Sequence, residues 1–134
     1  MNNSYKKDAF RFVDQTQHAI CIVAAEPLCE GHVLILPKKE VQTFSQLTSE
    51  EIKDLMNLCE KTALVLEKEY GISPIILKNT GTRISQNHLH VHVIALEQKI
   101  RELLYQTNTI SQIRPKNSVE NMQSIAQKLQ RHIH

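Results

Sequence analysis

A short segment in the second half of the chain constrains the fold most strongly, because histidine and aliphatic residues alternate in it. Gln86–Ile94 reads QNHLHVHVI. Successive side chains of a β-strand point to opposite faces, so His88, His90 and His92 share one face, about 6.5–7 Å apart. The residues of the opposite face are aliphatic and suit a core: Leu89, Val91 and Val93. The alternation therefore predicts a half-buried strand that carries a row of three imidazoles.

A second segment has the periodicity of a long helix. From Ser49 to Tyr70, apolar residues recur every three or four positions. We expect this stripe to face the core, and its residues are Ile52, Leu55, Met56, Cys59, Ala63, Leu66 and Tyr70. Thr48 and Glu51 have the spacing of a capping box, in which each side chain accepts a hydrogen bond from a backbone N–H group. Gly71 supplies the left-handed residue at which such helices end.

The other apolar runs are short and predict β-strands. They are Phe10–Asp14, Ala19–Ala25, Val33–Pro37 and Pro74–Lys78, followed by the histidine strand at His88–Leu96. The first two runs are separated by a short polar gap, which suggests a hairpin. The last two are joined by a compact polar loop that contains Gly81, which suggests an antiparallel pair.

The C-terminal part of the chain predicts a short helix around Ile100–Tyr105, a linker with Pro115 and a helix from about Val119, with Ser118 as its N-cap. The predicted apolar stripe of this last helix is Val119, Met122, Ile125, Leu129 and Ile133. Strands without regular βαβ alternation around one long helix favour an α+β fold with a central antiparallel sheet. We predict one domain over residues 1–110, with the linker and C-terminal helix of residues 111–134 packed on it.

Composition narrows the class of protein. The chain has 134 residues, 41% of them hydrophobic, and a formal net charge of +2. This suits one core and argues against a binder of duplex DNA, which usually concentrates positive charge. Three cysteines without C-x-x-C spacing predict free thiols. The longest apolar run, Ala19–Ala25, is far shorter than the about 20 residues that cross a bilayer. We therefore expect a soluble cytoplasmic protein without a membrane partner.

Two chemistries suit the histidine row. In the first, the imidazoles bind a metal ion and His32 adds a ligand from a neighbouring strand, although three residues along a straight strand converge poorly on one point. In the second, a neutral imidazole attacks phosphorus while its other ring nitrogen is held by a hydrogen bond. His90 has an imidazole on each side, the best position for orientation and charge stabilisation. The second reading needs no added metal or acid, and we prefer it.

Three stretches of the sequence resemble one family. The H-φ-H-φ-H-φ-φ pattern of His88–Ile94 is similar to the signature of the histidine triad (HIT) superfamily, where φ is an apolar residue. Upstream, Glu26–Lys38 reads EPLCEGHVLILPK and resembles the family's strand with Gly-His before an apolar run. Thr43–Glu51 resembles the family's entry into its long helix. The likeness covers roughly residues 5–105 and is greatest to bacterial-type, single-domain nucleotide hydrolases of the Hint and Fhit kind.

The resemblance implies an α+β fold, commonly as a homodimer, and an enzyme that cleaves nucleotides. A nucleoside phosphoramidate, dinucleoside polyphosphate or related nucleotidyl ester would be attacked at the α-phosphorus, with a nucleotidyl-histidine intermediate. His90 would be the nucleophile and His92 would contact the phosphate or leaving group, while His88 and His32 orient the nucleophile. Asn79, Ser85 and Gln86 would contact the substrate. No cofactor is required for the covalent step, and water would resolve the intermediate.

One departure from the family concerns the nucleoside. Members typically place Asp or Asn eight residues before the histidine of Gly-His, where it holds the ribose hydroxyls. This chain has Ala24 there, whose methyl group accepts no hydrogen bond. Ala24 therefore leaves open a nucleotide-binding protein without turnover as an alternative to the hydrolase. A metal-dependent enzyme with His32, His88, His90 and His92 as ligands is a separate alternative that also stays open.

Overall fold

The computed structural model describes residues 9–78, 88–97 and 117–133. Its strands are β1 (Phe12–Gln15), β2 (Ala19–Val23), β3 (His32–Pro37), β4 (Ile75–Lys78) and β5 (Val91–Ile94), and its helices are α1 (Ser49–Tyr70) and α2 (Val119–Gln130). Short 3-10 turns lie at Ala9–Arg11 and Phe44–Gln46. The helix predicted around residues 100–105, the linker and the domain boundary predicted near residue 110 lie outside the described residues.

The five strands form an antiparallel sheet in the order β1-β2-β3-β5-β4. β1 and β2 pair as the predicted hairpin, and β4 and β5 form the predicted antiparallel pair. β5 lies between β3 and β4, and its register with β3 places His92 opposite Leu34. The predicted α+β class, with a central antiparallel sheet, one long helix and a C-terminal helix, is confirmed.

Helix α1 begins and ends where its local signals predict. The Thr48 hydroxyl accepts a hydrogen bond from the backbone N–H of Glu51 at 3.1 Å, and the Glu51 carboxylate accepts one from the backbone N–H of Thr48 at 2.8 Å. At the other end, Gly71 has φ of 69°, in the left-handed region that glycine adopts without steric cost. The capping box and the glycine stop are therefore both confirmed.

The buried stripe of α1 is rotated relative to the predicted one. Its buried residues are Leu55, Leu58, Cys59, Thr62, Val65 and Leu66. Met56 was expected in the core but is 43% exposed, and this prediction is wrong. Successive helical residues are about 100° apart, so a stripe centred on Leu55 and Cys59 turns Met56 towards the flank. Periodicity alone did not choose between these neighbouring positions.

Adjacent positions on α1 are expected to differ sharply in their tolerance of substitution. Leu55→Ala removes a fully buried side chain and is expected to lower the free energy of unfolding by about 2–5 kcal/mol. Met56→Ala is expected to change it by less than about 1 kcal/mol, because much of that side chain already contacts water. Urea denaturation of both variants measures the difference, and equal losses would contradict the described orientation of the helix.

The sheet has two different faces. On one face, α1 and α2 cover a core that includes Val33 and Ile35 of β3 and Val91 and Val93 of β5. Leu89 is also buried in this core, so the predicted aliphatic face of the histidine segment is confirmed. The other face carries a second apolar cluster, which consists of Ile20, Ile22, Ala24, Leu34 and Leu36 with Phe12 packed against it. Residues directly opposite in an antiparallel pair share a face, so His92 points to this second side.

Helix α2 packs on the same core as α1. Ser118 is its N-cap, as predicted, and its hydroxyl accepts a hydrogen bond from the backbone N–H of Asn121 at 3.0 Å. The buried residues of the helix are Met122, Ile125, Ala126 and Leu129. Val119 was predicted to belong to this stripe but is 49% exposed, and it is the first residue of the helix. The helix contacts β1, β2 and α1.

The histidine strand is shorter than predicted. It was expected to run over His88–Leu96, but β5 covers Val91–Ile94. Pro37, at the end of β3, has no N–H group with which to extend the ladder. The chain instead turns away from β3, and the backbone N–H of Leu89 donates to the carbonyl of Val41 at 2.7 Å. His88 and His90 therefore precede the regular strand.

The state of the cysteines and the character of the helices agree with the predictions from composition. Cys21, Cys29 and Cys59 are free thiols, as predicted. Within the described ranges, no helix combines the length and the apolar character that a membrane span requires.

Candidate active site

Four histidines from two separate parts of the sequence lie along the neighbouring strands β3 and β5. His32 begins β3, His92 lies in β5, and His88 and His90 occupy the segment just before β5. The group extends from His32 at the start of β3 to His88, whose ring contacts the carbonyl of Pro37 at the end of β3. The side chains of His32, His88 and His90 are buried, and that of His92 is half-buried.

A chain of hydrogen bonds joins the first of these histidines to the last. The backbone N–H of Leu28 donates to Nδ1 of His32 at 2.9 Å, so this ring nitrogen carries no proton. The proton of neutral His32 is therefore on Nε2, which lies 2.9 Å from Nδ1 of His92. His32 donates and His92 accepts across that distance. A neutral His92 then carries its own proton on Nε2, because its Nδ1 is the acceptor.

The ring of His90 is oriented in the opposite sense. Its Nδ1 lies 3.1 Å from the backbone carbonyl of His88, and since a carbonyl only accepts, Nδ1 carries the proton. The Nε2 of neutral His90 therefore holds an unprotonated lone pair. The rings of His90 and His92 meet edge to face, with centroids 4.9 Å apart and an interplanar angle of 76°. An unprotonated ring nitrogen and an N–H donor thus belong to neighbouring imidazoles.

His88 anchors the segment that carries His90. Its Nε2–H donates to the carbonyl of Pro37 at 2.7 Å. The same residue supplies the carbonyl that holds His90. His88 therefore acts through both its ring and its backbone, and it attaches the segment before β5 to the end of β3.

Comparison with known proteins places this arrangement in a family. The family model described as the HIT domain matches residues 6–99. The chain belongs to the HIT family. The resemblance of the sequence to this family is thereby confirmed.

Individual HIT relatives are moderately similar to this chain. It is 33% identical over 82 residues to the nitrilase and fragile histidine triad fusion protein NitFhit of Caenorhabditis elegans, a match that covers 59% of this chain and 19% of that protein. It is 30% identical over 122 residues to the bis(5'-adenosyl)-triphosphatase of Dictyostelium discoideum, which covers 85% of this chain and 79% of the relative. Against the crystal structure of Plasmodium falciparum diadenosine triphosphate hydrolase in complex with cyclomarin A, the TM-score is 0.75 at 22% identity, over 92% of this chain and 76% of the other.

Several relatives are longer than the region they share with this HIT chain. The match spans 19% of NitFhit and 59% of an HIT-like protein from Mycoplasma pneumoniae. The structural likeness at 22% identity shows the fold. The substrates in the names of these relatives are properties of those proteins.

The geometry of the HIT histidines bears on the metal alternative. A metal site requires three or more ligand atoms that converge on one point. Among residues 9–78, 88–97 and 117–133, no group of three His, Cys, Asp or Glu side chains has that arrangement. Two of the ring nitrogens, Nε2 of His88 and Nδ1 of His90, also carry protons donated to backbone carbonyls. Asn79, Ser85 and Gln86, the predicted substrate contacts, lie outside the described residues.

Sequence reasoning missed the groups that orient the imidazoles. They are the Leu28 N–H, the His88 carbonyl and the Pro37 carbonyl, which are backbone groups without a sequence signal. It also missed a small polar network of Glu30, Tyr70 and Lys128 beside His32. The Nε2 of His132 lies 2.8 Å from the carboxylate of Glu69 and joins the residues after α2 to α1.

Cys29 is a free thiol in the loop that precedes His32. In the structure its Sγ donates to the carbonyl of Ala95 at 3.3 Å. Burial raises the pKa of the Cys29 thiol above its usual value, and the nearby Glu97 and Glu30 carboxylates act in the same direction. The thiolate is the reactive form, so this residue is a hydrogen-bond donor rather than a nucleophile.

Proposed function

We propose that this HIT chain is a nucleotide hydrolase that cleaves a nucleoside phosphoramidate, dinucleoside polyphosphate or related nucleotidyl ester at the α-phosphorus. The observation that carries the proposal is the orientation of His90. Its Nδ1–H is held by the carbonyl of His88, which leaves the lone pair of Nε2 for attack on phosphorus. The names of several relatives, bis(5'-adenosyl)-triphosphatase among them, support this class of substrate.

The first step forms a covalent intermediate. Nε2 of His90 attacks the α-phosphorus, a bond between phosphorus and nitrogen forms, and the bond to the leaving group breaks. A polyphosphate leaving group departs as an anion, and the Nε2–H of His92 stabilises that developing charge by a hydrogen bond. His32 holds His92 in the tautomer that makes this donation possible.

The second step regenerates the enzyme. Water attacks the same phosphorus, the phosphorus–nitrogen bond breaks, and Nε2 of His90 recovers its lone pair. The water releases one proton to solvent and the nucleoside monophosphate leaves. Each step uses a nitrogen atom as nucleophile or leaving group, so we propose that the covalent cycle requires no metal ion or organic cofactor.

The edge of the sheet supports a homodimer. In the described part of the sheet, β4 is an edge strand that pairs with β5. Its Ile76 and Leu77 are 44% and 38% exposed, which is unusual for aliphatic residues of a strand. A second copy of the chain that pairs along β4 would cover both. We expect Ile76→Lys to convert a dimer into a monomer in light scattering, and a dimer that persists would place the interface elsewhere.

The covalent step is tested by rapid acid quenching and mass spectrometry of the whole protein. With diadenosine triphosphate or an adenosine phosphoramidate, we expect a transient mass increase of one adenylyl group, mapped to His90 by peptide sequencing. The same experiment is repeated after exhaustive chelation, and the same rate is expected. Turnover without an adduct, or activity that disappears with chelation and returns with a metal ion, contradicts the mechanism. Nucleotide affinity without turnover contradicts the enzyme and favours the binding protein.

A further inference from the structure

The loop Leu28–Gly31 lies directly before His32 and is attached to the end of β5. The carbonyl of Gly31 accepts a hydrogen bond from the backbone N–H of Ala95 at 2.8 Å, and Cys29 donates to the carbonyl of Ala95. A cavity of about 370 Å³ lies against the loop, lined also by Tyr70, Ile72 and Leu96. One side of the loop borders this cavity, and polar contacts help to hold the loop in place.

A carboxylate on this loop gathers two of those contacts. One oxygen of Glu30 accepts hydrogen bonds from the Tyr70 hydroxyl at 2.8 Å and from the Lys128 ammonium at 3.0 Å. The Lys128 and Tyr70 donors hold the pKa of the Glu30 carboxyl below its usual range, which keeps it ionised at neutral pH. Burial, with the Glu30 carboxylate as a second cause, raises the pKa of Tyr70, which therefore remains a donor. We call these three residues the Glu30 cluster.

The Glu30 cluster joins the loop to both helices. Tyr70 is the last residue of α1 and Lys128 lies in α2. One turn further along the chain, His132 contacts Glu69, the neighbour of Tyr70. The C-terminal part of the chain thus reaches both the end of α1 and the loop before His32, over a sequence separation of 98 residues between Lys128 and Glu30.

The same loop supplies the backbone N–H that determines the protonation of His32. We infer that Glu30, Tyr70 and Lys128 are positioning residues, which hold the Leu28 N–H on Nδ1 of His32 and so keep the proton of His32 on Nε2, where it is donated to His92. The inference rests on the proposed function only where it concerns turnover. The contacts within the cluster are partly exposed, so each one contributes modestly and the cluster acts as a set.

The expected consequence follows from the chemistry of imidazole. The two tautomers of a neutral ring are close in free energy, and a hydrogen bond to one nitrogen selects between them. If the loop moves and the Leu28 N–H leaves Nδ1, His32 adopts both tautomers. In the second tautomer its Nε2 accepts instead of donating, and His92 no longer receives an N–H on its Nδ1. His92 is then no longer restricted to the tautomer that carries its proton on Nε2.

The test measures tautomers directly and needs no substrate. Protein with ¹⁵N-labelled histidine is examined by long-range ¹H–¹⁵N correlation spectra, with the His32 signals assigned by their loss in His32→Asn. The wild-type chain is expected to hold His32 as the Nε2–H tautomer. The variant Tyr70→Phe with Lys128→Met is expected to give a mixture, and Lys128→Arg, which keeps the charge and the donors, is expected to retain the wild-type tautomer.

A matched control separates this role from a general loss of a surface ion pair. Lys61→Met breaks the contact of Lys61 with Asp14 at 3.0 Å, which is also partly exposed and joins α1 to β1. It is expected to leave the His32 tautomer unchanged. Lys128→Met alone serves if the double variant does not fold, with a smaller change in the same direction. An unchanged tautomer in folded cluster variants overturns the inference, and so does an equal change in Lys61→Met.

Kinetics provide a second readout. The double variant is expected to lower kcat roughly fivefold with little change in KM, because the cluster acts on the donor to the leaving group rather than on binding. A fall in thermal stability alone, with kcat and the tautomer unchanged, overturns the inference. If the wild-type chain turns over no nucleotide, the proposed function fails, while the tautomer experiment still decides the role of the cluster.

Discussion

Replacing His90 by alanine is expected to lower kcat by at least about 10³-fold, the largest effect among single substitutions in this chain. The variant lacks the nitrogen that forms the bond to phosphorus, and no other ring of the group can take its place. His32 and His92 share a hydrogen bond between their rings, and Nε2 of His88 is bonded to the carbonyl of Pro37. Single-turnover kinetics with a dinucleoside polyphosphate measure the loss.

His18 provides the matched control for this substitution. It lies in the turn between β1 and β2, far along the chain from His90. Its backbone N–H donates to the carboxylate of Asp54. Because that contact uses the backbone, His18→Ala removes an imidazole without removing the hydrogen bond, and wild-type kcat is expected. A His90→Ala variant that retains the wild-type rate refutes the assignment of the nucleophile.

Replacing Gly31 by alanine is expected to damage both stability and activity. A Cβ atom at this position would lie 2.9 Å from the Cβ of Ala95 and 3.0 Å from two ring carbons of Tyr70. Backbone and ring must shift to relieve these contacts, at a cost of about 1–3 kcal/mol in the free energy of unfolding. The next residue is His32, whose Nε2–H donates to His92. We therefore expect the shift to displace His32 and to lower kcat about tenfold or more.

Gly71 is the matched glycine for that experiment. Its φ of +69° is strained for alanine, but a Cβ there has no neighbour within 4 Å. Gly71→Ala is therefore expected to cost about 1–2 kcal/mol in stability through backbone strain, while its kcat stays at the wild-type value. Thermal unfolding and kcat measured on both variants separate a general loss of stability from a displaced site. Loss of kcat in Gly71→Ala to the extent seen in Gly31→Ala contradicts the argument.

Elements with local signals were predictable to the residue. The bounds of α1 were predicted because the Thr48 and Glu51 contacts and the left-handed Gly71 involve residues three or four positions apart. The N-cap of α2 was predictable for the same reason. The start of β5 was not, because it depends on Pro37, at the end of the neighbouring strand β3, and on Val41, both of which lie about fifty positions earlier in the chain.

The orientation of a helix about its own axis also escaped prediction. Met56 and Val119 both fit an apolar stripe, yet both are exposed. The apolar stripe of a helix is wider than the part of the sheet that it packs against. The ends of the neighbouring strands therefore decide which residues at the edges of the stripe are buried. The outer residues of such a stripe are therefore the ones that periodicity assigns least well.

The three alternating histidines determine that one strand carries imidazoles on one side and core residues on the other. That much follows from the period of a β-strand and needs no neighbours. The family and the nucleophile candidate were accessible from the same pattern with Gly31 and His32, and the antiparallel sheet from the order of strands and helices. The chemistry of each ring was not, because an imidazole has two nitrogens and the side-chain sequence does not say which one is protonated. Backbone groups of Leu28, Pro37 and His88 make that choice, and tertiary folding brings them to the rings.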